Sequence, residues 1–218
     1  MLFSLFTAAA PASSVLPVPY LSQVPDGAWV APWDEACEEA SIAMVGNYYT
    51  KREDKTVEQQ KAHLQPMIDW ENETFKTYED TDAKQTVQLV RHEGVFRATV
   101  VRSPSLDSIK KELASQRPVI ALVNMYELYE EQNLGDSYHV LVLTGYDDAK
   151  KEFIVNDPAR ERKTYSYEVV MGALHDYNPK SHEADGVATV LFTHQRFFNS
   201  WIVWYGTFSA YLRTVFSK

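Results

Sequence analysis

Two apolar runs joined by a short polar segment constrain the fold of this chain most. The runs cover residues 138–146 and 152–156, and the polar residues 147–151 separate them. Apolar and β-branched runs around a short polar link predict two antiparallel strands of a hairpin. His139 and Asp157 lie equally far from the centre of this turn, so we expect them at or near cross-strand neighbour positions. In such a pair the carboxylate can orient the imidazole.

The rest of the chain predicts one α+β domain in which helices come first and strands later. A length of 218 residues with 45% hydrophobic positions suits a single core. Apolar periodicity and capping residues predict helices at 37–49, 56–64, 82–93 and 105–114, the third closed by Gly94 and the fourth capped by Ser105. Further strands are predicted at 95–101, 119–124 and 187–192. The helix that begins at Cys37 is dense in apolar residues and is predicted to be central and buried.

Charge and cysteine content exclude several classes of function. The 30 acidic and 21 basic side chains give a net charge of −9, which leaves no extended basic surface for nucleic acid. A single cysteine excludes an internal disulfide framework and a four-cysteine zinc site. Neither a phosphate-binding glycine motif nor a histidine pair with metal-ligand spacing occurs, so we expect no cofactor and no metal. The acidic residues of the segment 69–82 lack the spacing of a calcium loop and are predicted to form a solvated surface.

Cys37 is the candidate nucleophile. At the start of a helix, free N–H groups and the positive end of the helix dipole stabilise a thiolate. The alternative is a buried cysteine that acts only as a small hydrophobic residue. Four carboxylates surround it in the sequence and are expected to raise the pKa of the thiol. They belong to Asp34, Glu35, Glu38 and Glu39.

The two ends of the chain are unusually apolar. Residues 1–14 are interpreted either as an ordered arm or as the remnant of a secretory signal. Residues 194–218 are predicted to form an aromatic C-terminal helix. Three placements of its segment 197–216 are open. Its length would allow it to cross a bilayer, its aromatic content suits a helix in the membrane interface, and its apolar stripe could pack on protein. Localisation therefore stays open, with membrane association or export favoured over the cytoplasm.

Four sequence segments together resemble a known family. LPVPYLSQVP contains Gln23, CEEASIAMV begins at Cys37, YHVLVLTGYD contains His139, and FIVNDPA contains Asp157. In this order they resemble the bacteriocin-processing, double-glycine-leader type of cysteine peptidase domain, which belongs to the papain-like superfamily. The resemblance covers residues 16–192, and the corresponding domain is predicted to span 15–193.

The resemblance implies a papain-like fold and peptide hydrolysis through an acyl-enzyme. It implies Cys37 as nucleophile, His139 as general base and acid, Asp157 as orienting carboxylate, and Gln23 as oxyanion donor. A peptide or protein substrate follows from the same likeness. The sequence differs from the family where Glu38 and Glu39 follow the cysteine in place of glycine-containing pairs.

The interval between Gln23 and Cys37 is also longer than in papain-like enzymes. Trp29 and Trp33 in this insertion could pack as a cluster or form a wall of the substrate cleft. Two other functions remain open at this point. One is a catalytically inactive peptide-binding or membrane-tethered interaction domain of the same fold, and the other is transfer of the acyl group to an amine.

Overall fold

The computed structural model describes residues 11–130 and 137–196. Its helices are α1 (Cys37–Thr50), α2 (Val57–Phe75), α3 (Ala83–Glu93), α4 (Leu106–Ala114), α5 (Met125–Tyr129) and α6 (Tyr167–Ala173). Its strands are β1 (Ser13–Val15), β2 (Phe96–Arg102), β3 (Val119–Asn124), β4 (Tyr138–Asp147), β5 (Glu152–Asp157), β6 (Glu161–Ser166) and β7 (Thr189–Gln195). This arrangement confirms the predicted α+β class.

The strands described form one antiparallel sheet in the order β2-β7-β3-β4-β5-β6, and β1 adds to one end of β4. Strand β4 lies inside the sheet, and all of its residues except the last are buried. Helices α1 and α4 both pack against β4. Because β4 is covered in this way, its sequence is an almost continuous apolar run rather than an alternating one.

Helix α1 is the central helix of the core. Its residues from Cys37 to Tyr48 are all buried, and most of them are small or apolar, as expected of a central helix. Ser41, one turn after Cys37, donates a hydrogen bond of 3.1 Å from Oγ to the carbonyl oxygen of Val140, the residue after His139. This bond fixes the start of α1 beside the start of β4.

The predicted hairpin is formed by β4 and β5. Asn156 pairs with Val142, and the register shifts by one residue between Leu143 and Gly145. Asp157 therefore lies one position further along β5, toward the end of β4 that carries His139. The two residues are diagonal rather than directly opposite neighbours, which long side chains can bridge.

The helix boundaries follow local capping signals. Asp82 accepts hydrogen bonds from the first turn of α3, and Gly94 ends it with φ of 70°, which a glycine adopts without strain. Ser105 caps α4 as predicted. The prediction for α2 was wrong at its end, because the helix continues past Pro66 to Phe75. Packing of Met67 and later residues on the core outweighs the local cost of the proline.

Four of the α-helices and strands named above were absent from the prediction. They are β1, α5, β6 and α6. Strand β6 has the sequence ERKTYS and is mostly exposed, so it carries no alternating apolar pattern that would reveal it. Its pairing with β5 supplies the hydrogen-bonding partner that defines it.

The prediction of a solvated acidic surface was wrong for Glu71. Its side chain is fully buried on α2 beside Glu39 of α1, so that the two carboxyl groups interact. No group among the described residues donates a hydrogen bond to their oxygens. Burial, together with the charge of the neighbouring carboxylate, raises the pKa of Glu71, and burial raises the pKa of Glu39 to about 8. The pair therefore holds a proton at neutral pH.

We expect this pair to make the fold less stable as the pH rises. In the unfolded chain both groups ionise near pH 4.5, whereas the folded chain keeps a proton. The free energy of unfolding therefore falls as the pH rises from that value through about pH 8. Glu71→Gln keeps the shape and donates to Glu39 without ionising. Urea unfolding at pH 6 and pH 9 should show a smaller loss in this variant than in the unmodified protein.

Glu73→Gln is the matched control, since Glu73 lies on the same helix but is exposed. It should leave the pH dependence unchanged. An equal loss of stability in the Glu71→Gln variant and the unmodified protein would show that the pair does not share a proton.

The ends of the chain are only partly described. Residues 13–15 form β1 and pair with β4, while residues 1–10 lie outside the described part. The predicted aromatic helix at 197–216 also lies outside it. Within 11–130 and 137–196, the helices are all too short or too polar to cross a bilayer.

Candidate active site

Cys37 is the first residue of α1. Its side chain is 5% exposed, and the preceding Ala36 offers no side chain to cap the helix. The positive end of the helix dipole at Cys37 is therefore not capped by the side chain of the preceding residue. The Sγ atom donates a hydrogen bond of 2.9 Å to Glu38 Oε2. Burial, and then the charge of Glu38, raises the pKa of the thiol well above its ordinary value.

Glu38 is held firmly beside the sulfur. Its Oε1 accepts hydrogen bonds from the backbone N–H of Thr81 at 2.7 Å and from the Thr81 hydroxyl at 3.1 Å. Glu38 is fixed on the nucleophile rather than pointing into solvent, and burial raises its own pKa. The first of the two glutamates after Cys37 is thus an integral part of the site.

His139 and Asp157 form the second part of the site. His139 Nε2 lies 2.9 Å from Asp157 Oδ1, and both side chains are buried. The other carboxylate oxygen accepts a hydrogen bond of 2.7 Å from the Tyr129 hydroxyl, and Oδ1 also accepts from the N–H of Ala159 at 2.9 Å. Burial raises the pKa of Asp157, but the charge and hydrogen bond of His139 and the bond from Tyr129 outweigh it and lower the pKa overall.

The contact with Asp157 favours one tautomer of the His139 imidazole. Because Nε2 of His139 is engaged by the Asp157 carboxylate, an Nε2–H tautomer is favoured and Nδ1 is left as the basic nitrogen. Asp157 lies behind the imidazole and is itself inaccessible to solvent. The pair has the order of an orienting carboxylate and a base.

Gln23 is placed between the cysteine and the Asp157 turn. It is 3% exposed, and its Nε2 donates to the carbonyl oxygen of Asp34 at 2.8 Å. Its backbone N–H donates to the carbonyl oxygen of Pro158 at 3.1 Å. The long interval before Cys37 is thus folded back so that Gln23 still reaches the site.

The two tryptophans of this interval differ in environment. Trp33 is 8% exposed and packs in the core, whereas Trp29 is 55% exposed. Trp33 thus anchors the insertion in the core, while a role of Trp29 as a wall of the substrate cleft stays a prediction.

One cleft brings these groups together. It has a volume of about 310 Å³ and is lined by Gln23, Trp29, Asp34, Glu35, Cys37, Asp80, Met125, Ser137, Tyr138, His139, Ala159 and His182. The candidate nucleophile, base and amide donor thus face one space, although they come from an N-terminal loop, α1 and β4. The sequence indicated these residues but not the hydrogen bonds of Thr81 and Tyr129, because no local pattern links either residue to its carboxylate partner.

Comparison with known proteins identifies the family. Residues 15–184 match the peptidase C39-like family, and the chain belongs to it. No curated protein matches this sequence.

One solved structure shows the same fold at low sequence identity, and two others are similar to a smaller degree. A putative C39-like peptidase from Bacillus anthracis superposes with a TM-score of 0.55 at 16% identity, covering 84% of this chain and 98% of the other. A double glycine motif protease from an AMS/PCAT transporter, in complex with the leader peptide, has a TM-score of 0.45 at 18% identity. The match covers 84% of this chain and 95% of the other. Xylellain, a cysteine protease from Xylella fastidiosa, has a TM-score of 0.46 at 12% identity, and the match covers 86% of this chain and 88% of the other.

Membership of this family makes the chain a cysteine-type peptidase, as the four sequence segments predicted.

Proposed function

We propose that this protein hydrolyses peptide bonds with Cys37 as nucleophile, His139 as general base and acid, and Asp157 as the carboxylate that orients the imidazole. The observation that carries the proposal is the 2.9 Å contact of His139 Nε2 with Asp157, with His139 and Cys37 lining the same cleft. The substrate is a peptide or protein, as the family indicates.

The resting thiol is protonated, since its proton is held by Glu38 and its pKa is raised by burial and that charge. His139 Nδ1 takes this proton as the sulfur attacks the peptide carbonyl, and a thioester forms when the amine leaves with the proton from His139. A water molecule then gives a proton to His139, and the water oxygen attacks the thioester carbonyl. The acid product departs and the thiol is restored.

Gln23 and the backbone N–H of Cys37 stabilise the oxyanion of each tetrahedral intermediate. One hydrogen of the Gln23 amide bonds to Asp34, which fixes the orientation of the amide and leaves a second hydrogen for the substrate. Removing one such donor from comparable sites lowers kcat roughly 10² to 10³-fold. Delivery of the acyl group to an amine uses the same intermediate, and the mass of the product separates it from hydrolysis.

One observation favours a second candidate function. The bond from Cys37 to Glu38 holds the thiol in its unreactive form, as expected of a peptide-binding domain that has lost catalysis. The same fold and cleft would then bind a peptide without cleaving it. Tethering of such a domain to a membrane through residues 197–216 remains a prediction from the sequence.

The reactivity of Cys37 tests the proposal without any knowledge of the substrate. We expect alkylation by iodoacetamide at pH 7 to be slower in His139→Ala, because the imidazole no longer accepts the proton. Glu38→Gln should alkylate faster, since the loss of a negative charge lowers the pKa of the thiol. Each pKa unit by which the thiol pKa falls should raise the alkylation rate about threefold. The thiolate fraction rises about tenfold, but the thiolate of lower pKa is a weaker nucleophile.

The rates are measured from pH 5 to pH 10 by mass spectrometry of the intact protein. His92→Ala serves as the control, because its imidazole stacks on Trp70 away from the cleft residues. Identical pH profiles for the unmodified protein and His139→Ala would overturn the pairing and favour the binding domain.

A further inference from the structure

The cleft beside Cys37 is strongly acidic. Three of its lining residues, Asp34, Glu35 and Asp80, carry carboxylates, while no lysine or arginine lines it within the described residues. None of the three forms an ion pair with a basic side chain in the part of the chain that the structure describes. No lysine or arginine of the described residues therefore neutralises these carboxylates within the cleft.

Unused hydrogen-bond acceptors give a second, independent indication. The Oε1 atom of Gln23 is buried and has no partner, although the residue lines the cleft and is 3% exposed. The bond from Nε2 to Asp34 identifies which end of the amide is the oxygen. One carboxylate oxygen of Asp34 is likewise buried without a partner. Buried acceptors without partners are costly, so a ligand that donates hydrogen bonds is expected here.

The carboxylates also destabilise one another. Burial, followed by the charges of Glu38, Glu35 and Glu79, raises the pKa of Asp80 to about 7. Burial and then the charge of Asp34 raise the pKa of Glu35. A bound positive charge would relieve this repulsion.

The shape of the site favours an extended organic cation over a metal ion. No group of three histidine, cysteine or acidic side chains among the described residues is arranged to hold a metal. Trp29 lines the cleft and is 55% exposed, so its ring is available to the alkyl stem and the charge of a basic side chain. Lysine and arginine side chains combine such a stem with several hydrogen-bond donors.

We propose that the cleft formed by Asp34, Glu35, Asp80 and Trp29 binds a lysine or arginine side chain of the peptide substrate, next to the bond that is cleaved. This inference rests on the proposed function for its place beside the scissile bond. Recognition of the charge itself requires only the cleft.

Binding to the full-length Cys37→Ala variant tests the inference without turnover. The probes are glycine-alanine octapeptides with one lysine at each position in turn, and the same series with norleucine, which has a similar stem and no charge. Competition against a lysine peptide that carries a neutral dye is followed by fluorescence polarisation. We expect lysine to bind about tenfold or more tightly than norleucine at one or two adjacent positions, the size of effect given by hydrogen bonds to charged groups.

Glu35→Gln with Asp80→Asn in the same background should remove this preference and leave norleucine binding unchanged. Asp107→Asn is the matched control, because it removes a charge on α4, which packs near the other end of β4. Equal affinity for the two series, or a preference that survives in the double variant, would overturn the inference.

Cleavage of the same peptides by the unmodified protein separates the two proposals. Cleavage without a preference for lysine would overturn the cation site and leave the peptidase intact. A charge preference in binding without cleavage would support the cation site and contradict the proposed hydrolysis.

Discussion

Cys37→Ala is expected to abolish peptide hydrolysis. The variant removes the only sulfur nucleophile of the cleft, and the lost acceleration in comparable enzymes is on the order of 10⁵ to 10⁶-fold. The fold should survive, because alanine suits the start of a buried helix and leaves only a small cavity beside Glu38. Turnover of the octapeptides is measured by mass spectrometry, together with urea unfolding of the variant.

Cys37→Ser provides a stricter comparison, since it keeps a hydrogen-bond donor toward Glu38 but is a much weaker nucleophile at neutral pH. It should also be inactive. Hydrolysis at an unchanged rate in either variant would refute the assignment of Cys37 and direct attention to another group in the cleft.

His139→Ala is expected to reduce kcat on the order of 10⁴-fold or more, with little change in KM. The loss is large because the protonated thiol of Cys37 has no other base to release it, and the leaving amine has no other acid. The buried Asp157 carboxylate would also lose its main partner. The variant should therefore be less stable as well as inactive, and both properties need to be measured.

Asp157→Asn separates the catalytic loss from the structural one. The amide keeps the size of the side chain but favours the wrong imidazole tautomer, so we expect kcat to fall roughly 10² to 10⁴-fold. Tyr129→Phe removes one hydrogen bond to Asp157 and leaves the His139 contact intact, so its effect should be smaller. Full activity in Asp157→Asn would contradict the proposed orientation of His139.

The sequence predicted most of the elements that position the site, because they carry strong local signals. The β4–β5 hairpin is marked by two apolar runs around a polar turn, and α1 by its dense apolar content. The contact of His139 with Asp157 followed from hairpin geometry, although the one-residue shift at Gly145 could not be read from residue types.

What could not be predicted depends on contacts between distant parts of the chain. The burial of Glu71 requires the packing of α2 on α1, which brings Glu39 to it. The position of Glu38 requires Thr81, which lies 43 residues further along the chain. In each case a buried glutamate finds a partner that only the tertiary structure supplies.

The bond between Ser41 and Val140 has a consequence for the biosynthesis of the protein. These residues are 99 positions apart in the chain and adjoin Cys37 and His139 in the fold. A ribosome that adds 5 to 20 residues per second needs on the order of ten seconds to synthesise that interval. During this time the thiol exists without the base that we propose for it. Under the proposed mechanism, a growing chain cannot digest itself or its neighbours until the hairpin has emerged and docked onto the first helix.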